Sequence, residues 1–424
     1  MAGSSGTGQG KMDRQKLKFS VIILLLLSLF LSIGQAEVFE VFPGESVKDG
    51  LDRSGKGDTL WIHGGYFYEH GIEIVKPVTM IGEDSPIIDG EGKYHILTIR
   101  SDSVNIRGIA FRNAGISFIN ENAAIKLSDV SNCSITGNRF ENNFFAIYLA
   151  NASDCVISQN QIRAESQRET NSGNGIHLWY CRNIYIDSNT ITGHRDGIYM
   201  EFVEEAEIVN NQSEHNLRYG LHFMFSNSCK YNRNIFRHNG AGVAVMYTRS
   251  VIMTENQFEE NTGPASYGLL LKDIRDSRIE NNIFRRNSVG LYTEASNRIS
   301  IRYNLFQNNG WAVKIMANSM DNAFTRNDFI GNAFDVATNS RQNFNIFDGN
   351  YWSRYKGYDL DRDGTGELPF RPVRLFALIV ENEHTSLVLL KSFFIDLLDL
   401  AESIFPVLIP ETLIDHNPQM KRIL

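Results

Sequence analysis

The chain reads as an all-β protein, a right-handed parallel β-helix solenoid with coils of about 22 residues and a short helical C-terminal tail. Three observations predict this fold. First, the pattern apolar-x-x-Asn-x-apolar-x-x-Asn recurs, with its leading Asn at Asn138, Asn160, Asn189, Asn211, Asn234, Asn256, Asn282, Asn304, Asn327 and Asn350. Most intervals are 22 or 23 residues; the two longest are 29 and 26. Second, a large apolar residue follows two positions later, for example Phe236, Phe258, Phe284, Phe306, Phe329 and Trp352. Third, each coil carries a small residue followed by a short alternating segment, such as GIHLW from Gly175, GLHFM from Gly220 and GVAVM from Gly242. Alternation with period two marks strands, and a unit this short cannot bury its own apolar face, so coils must stack and share one core.

The elements follow in order. Residues 1–36 read as an export signal. Lys11, Arg14, Lys16 and Lys18 precede an apolar run from Phe19 to Ile33, and Gly34-Gln35-Ala36 offers a cleavage point after Ala36. A retained anchor is the other reading, because the run falls only a little short of a membrane span. Residues 37–115 read as an N-terminal cap and first coils, with a capping helix at Gly44–Leu51 and strands in TLWIHGGYFYE, Ile72–Val75, Val78–Ile81 and Ile96–Ile99. Residues 116–352 hold the regular coils, 353–385 an Asp-rich closing segment, and 386–424 an apolar tail interrupted by Pro406 and Pro410. The tail reads as amphipathic helices that dock to a partner or cover the end of the core, and the two roles are compatible.

Composition narrows the function. The 424 residues carry a formal net charge of −8, with no basic run beyond the N-terminus, which argues against nucleic acid as a partner. Four cysteines without metal-type spacing give no zinc or iron–sulfur signature. Cys133 and Cys155 share one repeat position, as a small-residue core stack or a disulfide.

In the short strands, the second and fourth residues after the small one are expected to face solvent. On that face Met224 and Met246 are 22 residues apart, hence stacked on adjacent coils, with His222 two residues from Met224. Two thioethers and an imidazole suit Cu(I), which favours soft ligands. Ala244 is expected to leave open space beside His222, and His177 lies two coils away. Inserts near Ala164–Gly173 and Thr262–Ser266 bracket these coils, and inserts on repeat scaffolds often mark a binding face. The plainer reading is that the methionines are exposed apolar residues under a loop or at an interface. His215 and His238 form another stacked pair without a third ligand, and read as turn residues. Asp359, Asp361, Asp363 and Glu367 match the first half of a calcium loop, but position twelve is Phe370, so an Asx-rich closing turn is the alternative.

RYGLHFMFS (Arg218–Ser226), GAGVAVMYTR (Gly240–Arg249) and GNYWSRYKGYDLDRDGTGELPFRP (Gly349–Pro372) resemble the NosD family, periplasmic copper-binding proteins of nitrous oxide reductase maturation. The resemblance implies copper as cargo at His222, Met224 and Met246. It also implies an inner-membrane ABC transporter made of a NosY-like permease and a NosF-like ATPase, with the apolar tail as the permease-docking element. A NosL-like copper-donor lipoprotein and apo nitrous oxide reductase would be further partners, in the service of denitrification. On this reading the chain is not an enzyme. The rival is a polysaccharide lyase, epimerase or hydrolase on the same solenoid, which needs convergent acid and base groups. The outward strand positions offer only Glu201 and Glu294, four coils apart.

Overall fold

The computed structural model describes residues 36–316, 318–339, 344–389, 392–395, 397–398 and 413–423. The basic and apolar leader within 1–35, and residues 399–412 of the apolar tail, lie outside the described residues. Short strands, each closed by a bend, stack into three parallel sheets of 14, 12 and 13 strands. Each coil gives one strand to each sheet. The coil that begins with Tyr219–Met224 continues through Lys230–Asn232 and Ile235–Arg237, and the next coil lays Ala241–Arg249 directly on Tyr219–Met224. The result is a parallel β-helix of about 13 turns with ~23-residue spacing.

The apolar member of each strand points inward and forms one continuous core from Val41 to Leu413. Inside it, Phe258, Phe284, Phe306 and Phe329 stack nearly parallel at 4.7, 4.7 and 5.0 Å, and Trp352 ends the column 4.1 Å from Phe329. Such spacing follows from strand separation, since in-register neighbours must lie about 4.8 Å apart. Met200 and Met253 belong to this core.

The recurring Asn forms a hydrogen-bonded ladder along one bend. The backbone N–H of Asn211 donates to Asn234 Oδ1 at 2.9 Å, and that of Asn234 donates to Asn256 Oδ1 at 3.0 Å. Asn234 Nδ2 donates to the carbonyl of Ile208 at 2.8 Å and to Asn256 Oδ1. Buried bends would otherwise strand polar backbone groups away from water. A second ladder runs Asn216, Asn239, Asn261, Asn287, Asn309 and Asn332.

The two ends close differently. At the N-terminal end the helix Val47–Arg53, capped by Ser46, buries Val47, Gly50 and Leu51 over the first coil. At the other end residues 413–423 return to the last coil, where the buried Asp415 accepts from the N–H groups of Gly349 and Asn350, from Asn350 Nδ2 and from Trp352 Nε1, each at 3.0 Å. The helix Leu375–Asn382 lies against the last strands of the 12-stranded sheet, with Phe376 and Val380 buried beside Phe334.

Replacing Asn234 by Ala leaves a buried N–H and a buried carbonyl unpaired, so a loss of about 3 kcal/mol is expected. Urea unfolding should show the midpoint falling at unchanged slope; an unaltered midpoint would mean that the ladder contributes little.

Candidate functional site

The 12-stranded sheet turns two columns of side chains outward, and register sets what each contains. One column runs Tyr148, His177, Tyr199, His222, Ala244; another runs Trp179, Glu201, Met224, Met246, Lys272, Glu294. Met224 and Met246 are paired directly across adjacent strands and are half-buried, so their backbones lie about one strand spacing apart on a rigid surface.

His222 does not face solvent as its strand position led one to expect. It is only 3% exposed, enclosed by Tyr199 at 5.1 Å and Tyr219 at 4.7 Å, and Ala244 beside it is fully buried, so the expected opening is absent. The reason is that outward-facing does not mean uncovered when bulky rings from the same column (Tyr199) and the start of the same strand (Tyr219) fold over it. Behind the imidazole sits Asp196, wholly buried, with Oδ2 3.9 Å from His222 Nδ1 and 3.4 Å from Arg195 Nε, and Oδ1 3.8 Å from Arg218 Nε. Both Asp196 oxygens and both His222 nitrogens lack a hydrogen-bond partner. Asp196 precedes Gly197, the small residue of its coil, and nothing in the repeat separates that position from its neighbours. Apart from Arg195 beside it, its neighbours Arg218 and His222 belong to the next coil and become visible only in register.

His177 stays apart from His222, because Tyr199 stands between them in the column. It is sandwiched by Tyr148 at 4.5 Å and Tyr199 at 4.7 Å, its Nδ1 lies 2.9 Å from Asn174 Nδ2, and burial drives its pKa down to about 3. Tyr199 in turn is pushed up to about 12 by burial and by Glu201, which accepts its hydroxyl. Glu294 pairs with Lys272 at 3.6 Å. His215 and His238 stack at 4.9 Å, and His238 Nε2 lies 3.2 Å from Glu260.

The carboxylates of Asp359, Asp361 and Asp363 converge, each offering an oxygen within 4.8 Å of the others. Much of their capacity goes to the turn itself: Asp359 accepts from Gly364 N–H, Asp361 from Asp363 N–H and Asp363 from Thr365 N–H. Glu367 is occupied by Leu360 N–H at 3.4 Å. Asp359 Oδ1 is left without a hydrogen-bond partner. All four cysteines are buried free thiols; in-register hydrogen bonding places Cys133 and Cys155 on adjacent coils.

Fold and face together define the class: a parallel β-helix that presents a fixed pair of soft donors on one outward sheet. Comparison then shows what the chain is similar to. The family model described as "Periplasmic copper-binding protein (NosD)" matches residues 160–357, which include all the coils just described from Trp179 to Glu294. A "Probable ABC transporter binding protein NosD" from Pseudomonas aeruginosa is 29% identical, covering 94% of this chain and 95% of the relative. One of the same name from Stutzerimonas stutzeri is 26% identical, covering 86% and 87%. In fold alone, the chain is similar to the Yersinia enterocolitica family 28 exopolygalacturonase, with a TM-score of 0.57 at 10% identity over 74% of this chain and 78% of that one. It is also similar to the Dettilon tailspike protein, with a TM-score of 0.52 at 13% identity over 73% and 68%.

One residue at the edge of this region is expected to make the protein acid-sensitive. His194 replaces an Asn of the second ladder, its backbone N–H still donating to Asn216 Oδ1, but both ring nitrogens are buried without partners and burial lowers its pKa to about 4. A folded-state pKa below the unfolded value gives stability that is complete above pH 6.5 and is lost as pH falls towards 4. His194→Asn, which restores the ladder residue, should remove a loss of roughly 3 kcal/mol between pH 7 and pH 4. Thermal unfolding across that range tests it; an unchanged pH slope would exclude His194 as the cause.

Proposed function

We propose that this chain is a periplasmic accessory protein that carries copper, as Cu(I), on the Met224–Met246 pair and works beside an ABC transporter in assembling the copper centre of nitrous oxide reductase. The observation that carries the reading is the direct pairing of two thioethers on adjacent coils of a rigid sheet, inside the segment matched by a copper-binding family. Thioethers favour Cu(I), and a solenoid that already holds both backbones loses little freedom on binding. His222 is the third ligand once the Tyr199 and Tyr219 rings that enclose it turn aside. Its ring nitrogens have no hydrogen-bond partner, so ligation costs it no existing bond. Copper here is cargo to be passed on, and half-buried methionines suit a site that must also release.

The exposed apolar side chains Val388, Phe393, Phe394 and Leu397 support docking of the tail on a NosY-like permease, whose NosF-like ATPase lies across the membrane. On this reading the protein works at the inner membrane, within reach of a NosL-like copper donor and of the apo reductase. The names carried by the relatives, with their ABC transporter, support this assembly. We read the chain as a non-enzyme. Glu201 and Glu294 are four coils, roughly 19 Å, apart, whereas glycoside hydrolysis needs two carboxyl groups within about 5–10 Å. The Asp359, Asp361, Asp363 and Glu367 loop holds calcium as a structural ion that stiffens the closing segment.

Anaerobic competition titration with a Cu(I) chelator should show Met224→Ala/Met246→Ala losing about 100-fold or more in affinity, since soft donors are the basis of selectivity. Equal affinity would remove the site, and turnover of uronate polymers would replace the whole reading with an enzymatic one. Millimolar calcium should raise the melting temperature of the wild type and leave that of Asp361→Asn/Asp363→Asn unmoved; identical responses would reduce the loop to a turn.

A further inference from the structure

Beside the methionine pair runs a row of aromatic rings that the copper reading does not use. Tyr180, Phe202, Phe225 and Tyr247 occupy one corner position on four successive coils, stacked at 4.6, 5.2 and 5.1 Å with interplanar angles of 18°, 11° and 12°. All four have left-handed backbones, with φ of 50°, 54°, 50° and 55°. Bulky residues seldom adopt this conformation, whereas Asn and Asp tolerate it. The same corner holds Asp129 and Asn151 on the preceding coils and Asp273 on the following one, also at positive φ. Four successive coils thus carry rings at a bend that the flanking coils fill with Asp, Asn or Ala. The row is exposed: Tyr180 is 50% accessible, and Phe225 and Tyr247 are 40% each. Phe225 directly follows Met224, and Tyr247 directly follows Met246.

Charge says what the row would meet. Because the rings stack on one another, they turn edges rather than faces outward, and ring edges carry the positive end of the quadrupole. At the Tyr247 end, Arg249 and Arg275 are paired in register on adjacent strands, both exposed. Like charges placed directly opposite destabilise a sheet. Asp273 lies 3.6 Å from Arg275, and Asp276 is near enough to both arginines for their charges to help hold its carboxyl below the usual range, but no direct ion pair of Arg249 is seen among the described residues. These two arginines, with Phe225, Asn227, Tyr247 and Asp273, line a groove of about 400 Å³.

We propose that this aromatic ledge and its arginine pair form a docking site for an acidic segment of a protein partner, with carboxylates on the guanidinium groups and aliphatic side chains against the ring edges. Resting on the copper reading above, the partner is the protein that exchanges metal with Met224 and Met246, since anything seated on Phe225 and Tyr247 abuts both. The contact is one of protein with protein; a free anion would have no use for the aromatic row.

The test uses the full chain without metal. Fluorescence anisotropy is followed with a fluorescein-labelled peptide of alternating aspartate and leucine, and with its lysine–leucine counterpart. Wild type should prefer the acidic peptide, and Arg249→Ala/Arg275→Ala should bind it roughly tenfold more weakly, the effect of losing two exposed ion pairs. Arg249→Glu/Arg275→Glu should reverse the preference, and that gain of binding to the basic peptide cannot come from misfolding. Phe225→Ser/Tyr247→Ser should weaken the acidic peptide as well. Equal binding of both peptides by the wild type, no effect of the arginine changes, or complete displacement by millimolar inorganic phosphate would overturn the proposal. Met224→Ala/Met246→Ala should leave peptide affinity unchanged while abolishing copper binding, so the ledge and the metal site can fail separately.

Discussion

The asparagine ladder is the constraint on which the rest of the molecule depends. A side chain one coil away can be a neighbour only if successive coils stay in register, and a slip by one residue would turn every inward side chain out. Each ladder amide accepts from the coil before it and donates back to that coil's carbonyl, as Asn234 does with Asn211 and Ile208. A misplaced coil would leave these groups buried and unpaired. The phenylalanine column adds apolar cohesion, but it is the polar ladder that is intolerant of error.

That intolerance is what suits a flat face to the copper site proposed above. Met224 and Met246 belong to no loop and need no closure to meet. The same regularity explains what surrounds them. His222 and Asp196 lie on neighbouring coils, and the buried, unpartnered state of both is a local breach of the rule that buried polar groups are paired. Breaches of that kind concentrate where a protein does something other than fold.

Much of this was legible in the residues. The periodic Asn, Phe and Gly positions specified the solenoid and the pairing of Met224 with Met246, because a repeat of fixed length converts sequence distance into spatial adjacency. The capping helix was visible too, although its Ser46 cap sets it at Val47–Arg53 and the apolar pattern alone began it at Gly44. Strand alternation failed at His222: it states which way a side chain leaves the strand, not what lies over it, and the rings that cover it are Tyr199 of the coil before and Tyr219 at the start of its own strand. The aromatic corner was equally hidden, since Tyr180, Phe202, Phe225 and Tyr247 sit at strand ends, where alternation stops and backbone conformation takes over.

Asp415 has a consequence of its own. An amide both gives and receives hydrogen bonds, so a row of Asn can be extended indefinitely by any further strand offering the same group. A carboxylate only receives. By setting Asp415 after Asn350, the chain ends the row with a residue that has nothing to hand on, and it does so with a segment 65 positions downstream. The open end of a stacked-strand protein invites a second molecule to continue the stack. Here residues 413–423 lie on that edge and occupy the hydrogen-bonding groups that a second copy would otherwise meet.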